Sequence, residues 1–195
     1  IMERLVGSEM CIRDSFRVEK EDEVLSTYSA DYGFSSMPGT ATALAVAGKD
    51  LPVQVGFDRK AKCPFAHPVP HKGLKDSTGV ESLYGVKCLV GDLNRLGYKR
   101  VNVKTDQENA IVLVVQKAKE MWPGEMIIEK SPVGESRSNG EAERAVQSIH
   151  GLARTLKDHV EIHARMKLDP KSPLIAWIIE HSSCLLYTSD AADDL

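Results

Sequence analysis

The spacing of apolar positions changes part-way along the chain, and that change divides it into two halves. Residues 24–34 are rich in β-branched and aromatic side chains and predict a strand that runs to the turn signal at Gly33. Residues 44–46 and 51–57 read as further strand, interrupted by the turn Gly48-Lys49-Asp50. A second polar turn covers 58–61. Residues 63–69 are extended, and Pro64, Pro68 and Pro70 place that segment at a sheet edge, because proline cannot donate to a ladder. These segments predict an antiparallel meander.

Beyond Ser77 the spacing becomes three and four. Val80, Leu83, Tyr84, Val86, Cys88, Leu89, Leu93 and Leu96 predict a helix capped by Ser77 and ended by Gly97. Residues 98–104 predict a short strand, with Val101 and Val103 on one face, that runs into Thr105-Asp106. Residues 111–121 predict a helix stopped by Pro123-Gly124, 125–129 a strand, and 130–137 a polar loop. Ser138 and Glu141 have capping-box spacing. Ala142, Ala145, Val146, Ile149, Leu152, Ala153, Leu156 and Val160 then mark the inward face of a long helix. Glu143, Gln147, His150 and Arg154 fall on a different face. A last helix, 173–181, carries Trp177 and Ile178. Strands first, then alternating helix and strand, predict an α/β layer with a mixed sheet.

The two ends stand apart from this pattern. Residues 5–15 and 184–194 resemble translations of a sequencing-library adapter, one in each direction. They divide the chain into an adapter-like flank at 1–15, a core at 16–183 and an adapter-like flank at 184–195, and neither flank is expected to pack on the core. Setting aside Arg13 and the acids Glu9, Asp14, Asp190, Asp193 and Asp194 turns the formal net charge from −3 to +1, so the acidic balance belongs to the flanks. A charge near zero neither announces nor excludes a nucleic-acid partner. Cys63 and Cys88 remain in the core without a Cys-x-x-Cys pair, which indicates neither a zinc site nor a disulfide framework and favours a reducing, intracellular setting. His67 with His71, and His159 with His163, have ligand-like gaps but no third ligand. No apolar run is long enough for a membrane span.

The candidate chemistry centres on Glu143. A carboxylate in the first turns of a helix, where the dipole favours negative charge, with amide and cationic groups behind it, suits a divalent metal and a phosphate backbone. Ser138-Asn139-Gly140-Glu141-Ala142-Glu143-Arg144, preceded by Lys130-Ser131-Pro132, resembles the third acidic motif of retroviral and retrotransposon integrases, a DDE family within the ribonuclease-H-like superfamily. The resemblance implies two aspartates upstream, one on the central strand and one after the fourth. Asp31 and Asp106 hold those places, with 36 residues between Asp106 and Glu143. Gly56-Phe57-Asp58-Arg59 and Phe65-Ala66-His67-Pro68-Val69 resemble the second and third strands of that family. The chain departs from the family after its second aspartate, where Asp106-Gln107-Glu108 replaces the frequent Asp-x-Gly, and Glu108 offers a substitute carboxylate.

What the resemblance implies is a ribonuclease-H-like fold: a five-stranded mixed sheet with helices on both faces. It implies catalytic and metal-binding roles for Asp31, Asp106 and Glu143. Three converging carboxylates repel and favour oxygen-seeking cations, so the implied cofactors are two Mg²⁺ or Mn²⁺ ions about 3.5–4 Å apart. Asp31 would bridge both ions, and Asp106 and Glu143 would each hold one. The implied reactions are trimming of DNA 3′ ends and their joining to target DNA. Asn139, Arg144, Gln147, Arg154 and Lys157 are the candidate DNA contacts. Partners by resemblance are retroelement ends, target DNA and further copies of the chain in a homodimer or higher multimer, with the nucleus as the place of integration. The rival readings are a ribonuclease H-type nuclease, which would place Glu81 on the first core helix, and an inactive retroelement fragment that only binds nucleic acid.

Overall fold

The computed structural model describes residues 25–34, 51–76, 78–130, 140–169 and 172–193. Five strands form one sheet: β1 (Ser26–Phe34), β2 (Pro52–Asp58), β3 (Cys63–Pro68), β4 (Arg100–Thr105) and β5 (Glu125–Lys130). Among the described residues four helices cover it: α1 (Tyr84–Leu96), α2 (Asn109–Met121), α3 (Gly140–Ala164) and α4 (Pro173–Asp193). The strand order is β3-β2-β1-β4-β5. β1, β2 and β3 pair antiparallel, and β1, β4 and β5 pair parallel. The proline-bearing β3 is an edge strand, as its missing N–H donors require.

Side chains alternate across the sheet and build a core on each side. Tyr28, Ala30, Tyr32, Phe65, Val101 and Val103 point to one face and pack with Leu89, Leu93 and Leu96 of α1 and Ile111, Val114 and Val115 of α2. Val53, Val55 and Ala66 point to the other face and pack with Ala145, Ile149 and Ala153 of α3 and Ile175, Ile178 and Ile179 of α4. The first core contains a polar knot. The Tyr28 hydroxyl donates to Asp92 at 2.9 Å, and the His67 ring lies 3.0 Å from the same fully buried carboxylate. Burial disfavours a charge on His67, but the Asp92 carboxylate overrides it and lifts the pKa to about 10. His67 is thus a core ion-pair partner, and it does not act as half of a zinc pair with His71. Gly56 gives Tyr28 its room, since a Cβ there would overlap the phenol end of that side chain, at its hydroxyl oxygen.

Two boundaries differ from expectation. The first helix begins at Tyr84, well after Ser77. Asp76 accepts hydrogen bonds from the Thr78 and Val80 N–H groups and from the Thr78 hydroxyl, and Gly79 sits at φ +84, so this stretch closes a turn. Val80 is left exposed and Glu81 bridges to Lys75, off the helix. The final helix runs on through residues 184–193, which corrects the expectation that the second flank stays off the core. Ile178, Ile179, Ser182, Ser183, Leu186 and Tyr187 continue one helical stripe, and Leu186 and Tyr187 pack against the two cores. Helix formation responds to that spacing whatever the origin of the residues. The first flank, residues 44–46, Ser138 and Asn139 lie outside the described residues.

Candidate metal centre

Asp31 and Asp106 become neighbours through strand pairing. Ser29 pairs with Lys104 and Ala30 with Thr105 in the parallel ladder between β1 and β4. One step on, Asp31 in β1 and Asp106 just past the end of β4 follow these pairs at the carboxyl ends of the two strands. The carboxyl end of parallel strands is where open α/β sheets place their sites, because the chain leaves the sheet there and side chains are free of the ladder.

Each carboxylate is held by backbone. The Tyr32 N–H donates to Asp31 Oδ1 at 2.7 Å. The Glu108 N–H donates to Asp106 Oδ1 at 3.0 Å, which closes the turn between β4 and α2. Glu108 takes φ −63 and ψ 118 at the start of α2. Any residue adopts that conformation, so the turn does not depend on the glycine frequent in the resembled family. The substitution instead puts a third carboxylate at the site. Asp31, Asp106 and Glu108 each offer an oxygen, all within 4.8 Å of one another. Burial pushes the Asp31 carboxyl up to about 6, with Asp106 and Glu108 adding to the rise and the Tyr32 N–H and Lys72 partly offsetting it. An all-oxygen donor set with excess negative charge fits Mg²⁺ or Mn²⁺ and does not fit a soft metal.

Glu143 does not join this group. It is exposed in the first turns of α3, and the contacts of that helix bracket its position. Arg59, whose backbone N–H donates to Thr27, pairs with Glu141 at 2.9 Å, so α3 starts beside the beginning of β1. Farther along, Val146 and His150 press on Gly33, where a Cβ would come 2.8 Å from Val146 Cγ1 and 3.0 Å from His150 Cε1. α3 therefore runs along β1 in the same direction, and Glu143 lies between these two contacts. At about 100° per residue, Glu143, Val146 and His150 share one flank of the helix.

The proposed DNA contacts divide. Arg144, Gln147 and Arg154 are exposed on α3. Lys157 is buried, and its ammonium lies 2.9 Å from Glu161, whose carboxylate also takes Lys167 Nζ and the Leu168 N–H. That burial removes Lys157 from the set. Its place on the helix reads as polar, but the segment after α3 folds back onto its partner Glu161. Lys72 was not singled out, and no spacing signals it. It sits in the loop after β3 and reaches Glu108 only through tertiary folding.

No protein-family model matches the chain, and no curated protein does. Among solved structures, a chain of the simian T-cell lymphotropic virus intasome, in complex with the PP2A regulatory subunit B56 gamma, aligns with a TM-score of 0.54. The identity is 12%, over 83% of this chain and 46% of that one. That likeness shows a shared fold. The BIV integrase core also matches, at TM-score 0.48 and 10% identity over 84% of this chain and 81% of that one. So does an HTLV-2 integrase core in complex with magnesium, at 0.46 and 12% over 80% and 81%. The described residues have the ribonuclease-H-like architecture, a five-stranded mixed sheet with helices on both faces. It spans less than half the length of the intasome chain. No helix among the described residues is long and apolar enough to cross a membrane.

Proposed function

We propose that this chain is the core of a metal-dependent polynucleotidyl transferase that trims DNA 3′ ends and joins them to target DNA. The observation that supports the reading is the juxtaposition of Asp31 and Asp106 at the ends of parallel strands, on a sheet along which α3 runs beside β1. Bound Mg²⁺ or Mn²⁺ would activate the attacking oxygen and stabilise the leaving one. The protein's own contribution is positional. The Tyr32 and Glu108 N–H groups fix one oxygen each of Asp31 and Asp106, and half-burial makes the Asp31 carboxylate favour a cation partner over water. Glu143 would complete the site from the helix. Arg144, Gln147 and Arg154, with Asn139, would track the phosphate backbone, which requires positive and amide donors and little base reading. DNA ends, target DNA and further copies of the chain are the proposed partners.

The test is strand transfer and 3′-end cleavage with Mg²⁺ or Mn²⁺ by the wild type and by Asp31→Asn, Asp106→Asn and Glu143→Gln. Each variant is expected to lose at least about a hundredfold in rate while keeping its melting temperature within a few degrees. Full activity in Glu143→Gln would remove that residue and leave the Asp31, Asp106 and Glu108 group as the site. Cleavage of an RNA–DNA hybrid without strand transfer would replace the reading with a ribonuclease H.

A further inference from the structure

Lys72 is already bound at the acidic group. Its Nζ donates to both oxygens of Glu108, at 2.8 and 3.0 Å, and lies 5.2 Å from the centre of the Tyr32 ring. The loop that carries it is fastened to the same tyrosine, because the Gly73 N–H donates to the Tyr32 hydroxyl at 3.1 Å. Tyr32 in turn holds Asp31 through its own N–H. Lys72, Tyr32, Asp31, Asp106 and Glu108 therefore form one connected set, in which the Lys72 ammonium pairs with Glu108 and lies close enough to Asp31 to favour its ionised form. Both partners are more than half buried, with side-chain exposures of 23% for Lys72 and 34% for Glu108, so solvent does not screen the pair as it would a surface ion pair.

Glu108 can give its two oxygens to Lys72 or to a divalent ion, and it cannot give both oxygens to both. Three carboxylates this close need a cation, and only one kind of cation at a time fits against Glu108. We propose that Lys72 is the resident counter-ion of this site, that Glu108 is an additional metal ligand, and that metal loading requires Glu108 to pass from Lys72 to the ion. The proposal rests on the metal-site reading above and adds its regulation. It gives a purpose to the carboxylate found where the resembled family often has glycine: Lys72 keeps the extra charge from destabilising the metal-free protein.

The experiment is an Mn²⁺ titration of the full chain by calorimetry, with the melting temperature of each variant as a check on folding. Removing one positive charge several ångströms from a divalent ion in a half-buried site is worth about tenfold in affinity. Lys72→Gln is therefore expected to bind Mn²⁺ about tenfold more tightly than the wild type, and Lys72→Arg to bind like the wild type. Glu108→Gln is expected to bind more weakly, and the gain from Lys72→Gln should shrink in the Glu108→Gln background. Equal or weaker binding by Lys72→Gln, or the same gain in both backgrounds, overturns the competition. Binding that Asp31→Asn abolishes but Lys72→Gln leaves unchanged overturns this proposal alone. No binding by any form overturns the metal-site reading with it.

Discussion

Gly33→Ala is the substitution that most directly probes how α3 is seated on β1. Gly33 is not among the glycines with positive φ, so alanine adopts its backbone conformation without strain. On that ground alone the change would stabilise by about 0.4–1 kcal/mol, by narrowing the unfolded ensemble. Against this, the added methyl would lie 2.8 Å from Val146 Cγ1 and 3.0 and 3.2 Å from His150 Cε1 and Nε2. Val146 is β-branched and stiff in a helix, so it yields only if α3 shifts. Overpacking of this kind costs about 1–3 kcal/mol, which exceeds the entropic gain. The net expectation is a destabilisation of about 1–2 kcal/mol, read from the midpoint of urea unfolding at unchanged slope. Val146→Ala removes the obstructing methyl, so the double variant should recover about 1 kcal/mol relative to the sum of the singles. Because the shift also moves Glu143, strand transfer should fall about tenfold or more in Gly33→Ala, since small misplacements of a reacting group are costly. A neutral or stabilised Gly33→Ala, or strict additivity with Val146→Ala, would refute the packing of α3 on Gly33 and with it the bracketing of Glu143.

Two further outcomes follow from the core. The His67 pKa is raised, so the Asp92 pair stabilises fully below the unfolded value near 6.5 and its contribution is lost as pH climbs towards about 10. Unfolding free energy should therefore fall by roughly a few kcal/mol between pH 7 and pH 10, and His67→Asn should flatten that decline; an unchanged profile in the variant would remove the ion pair from the account. Gly56→Ala places a methyl over the Tyr28 hydroxyl and should destabilise by about 3 kcal/mol or more, which calorimetric melting would read; a loss under about 1 kcal/mol would mean that Tyr28 is not seated as described.

The site was legible in part because each aspartate carries its own local signal. Asp31 ends a β-branched run before a turn and Asp106 follows a short strand, and both readings depend on a few adjacent residues. Glu108 was visible as a carboxylate, but its proximity to Asp31 was not, because β1 and β4 are far apart in sequence and their parallel register is set by packing on both faces. Lys157 was misplaced for a related reason. A lysine on the polar side of a helix reads as solvated, but Lys157 is buried and paired with Glu161, onto which residues 167–168 return. The turn at Asp76 and Gly79 is hidden in the sequence because the apolar spacing from Val80 onward is helical, and local hydrogen bonds to a short carboxylate outweigh it.

By itself the sequence determined the order and type of the elements, since periods of two and of three to four are fixed by how strand and helix backbones point their side chains. It also set the edge position of β3, through prolines that cannot pair, and the strand ends where carboxylates collect. The tertiary structure decided which carboxylates meet, how α3 runs along β1, and which lysine pairs with Glu108. Those outcomes depend on contacts between residues dozens of positions apart, whose energies come from shared burial and mutual charge.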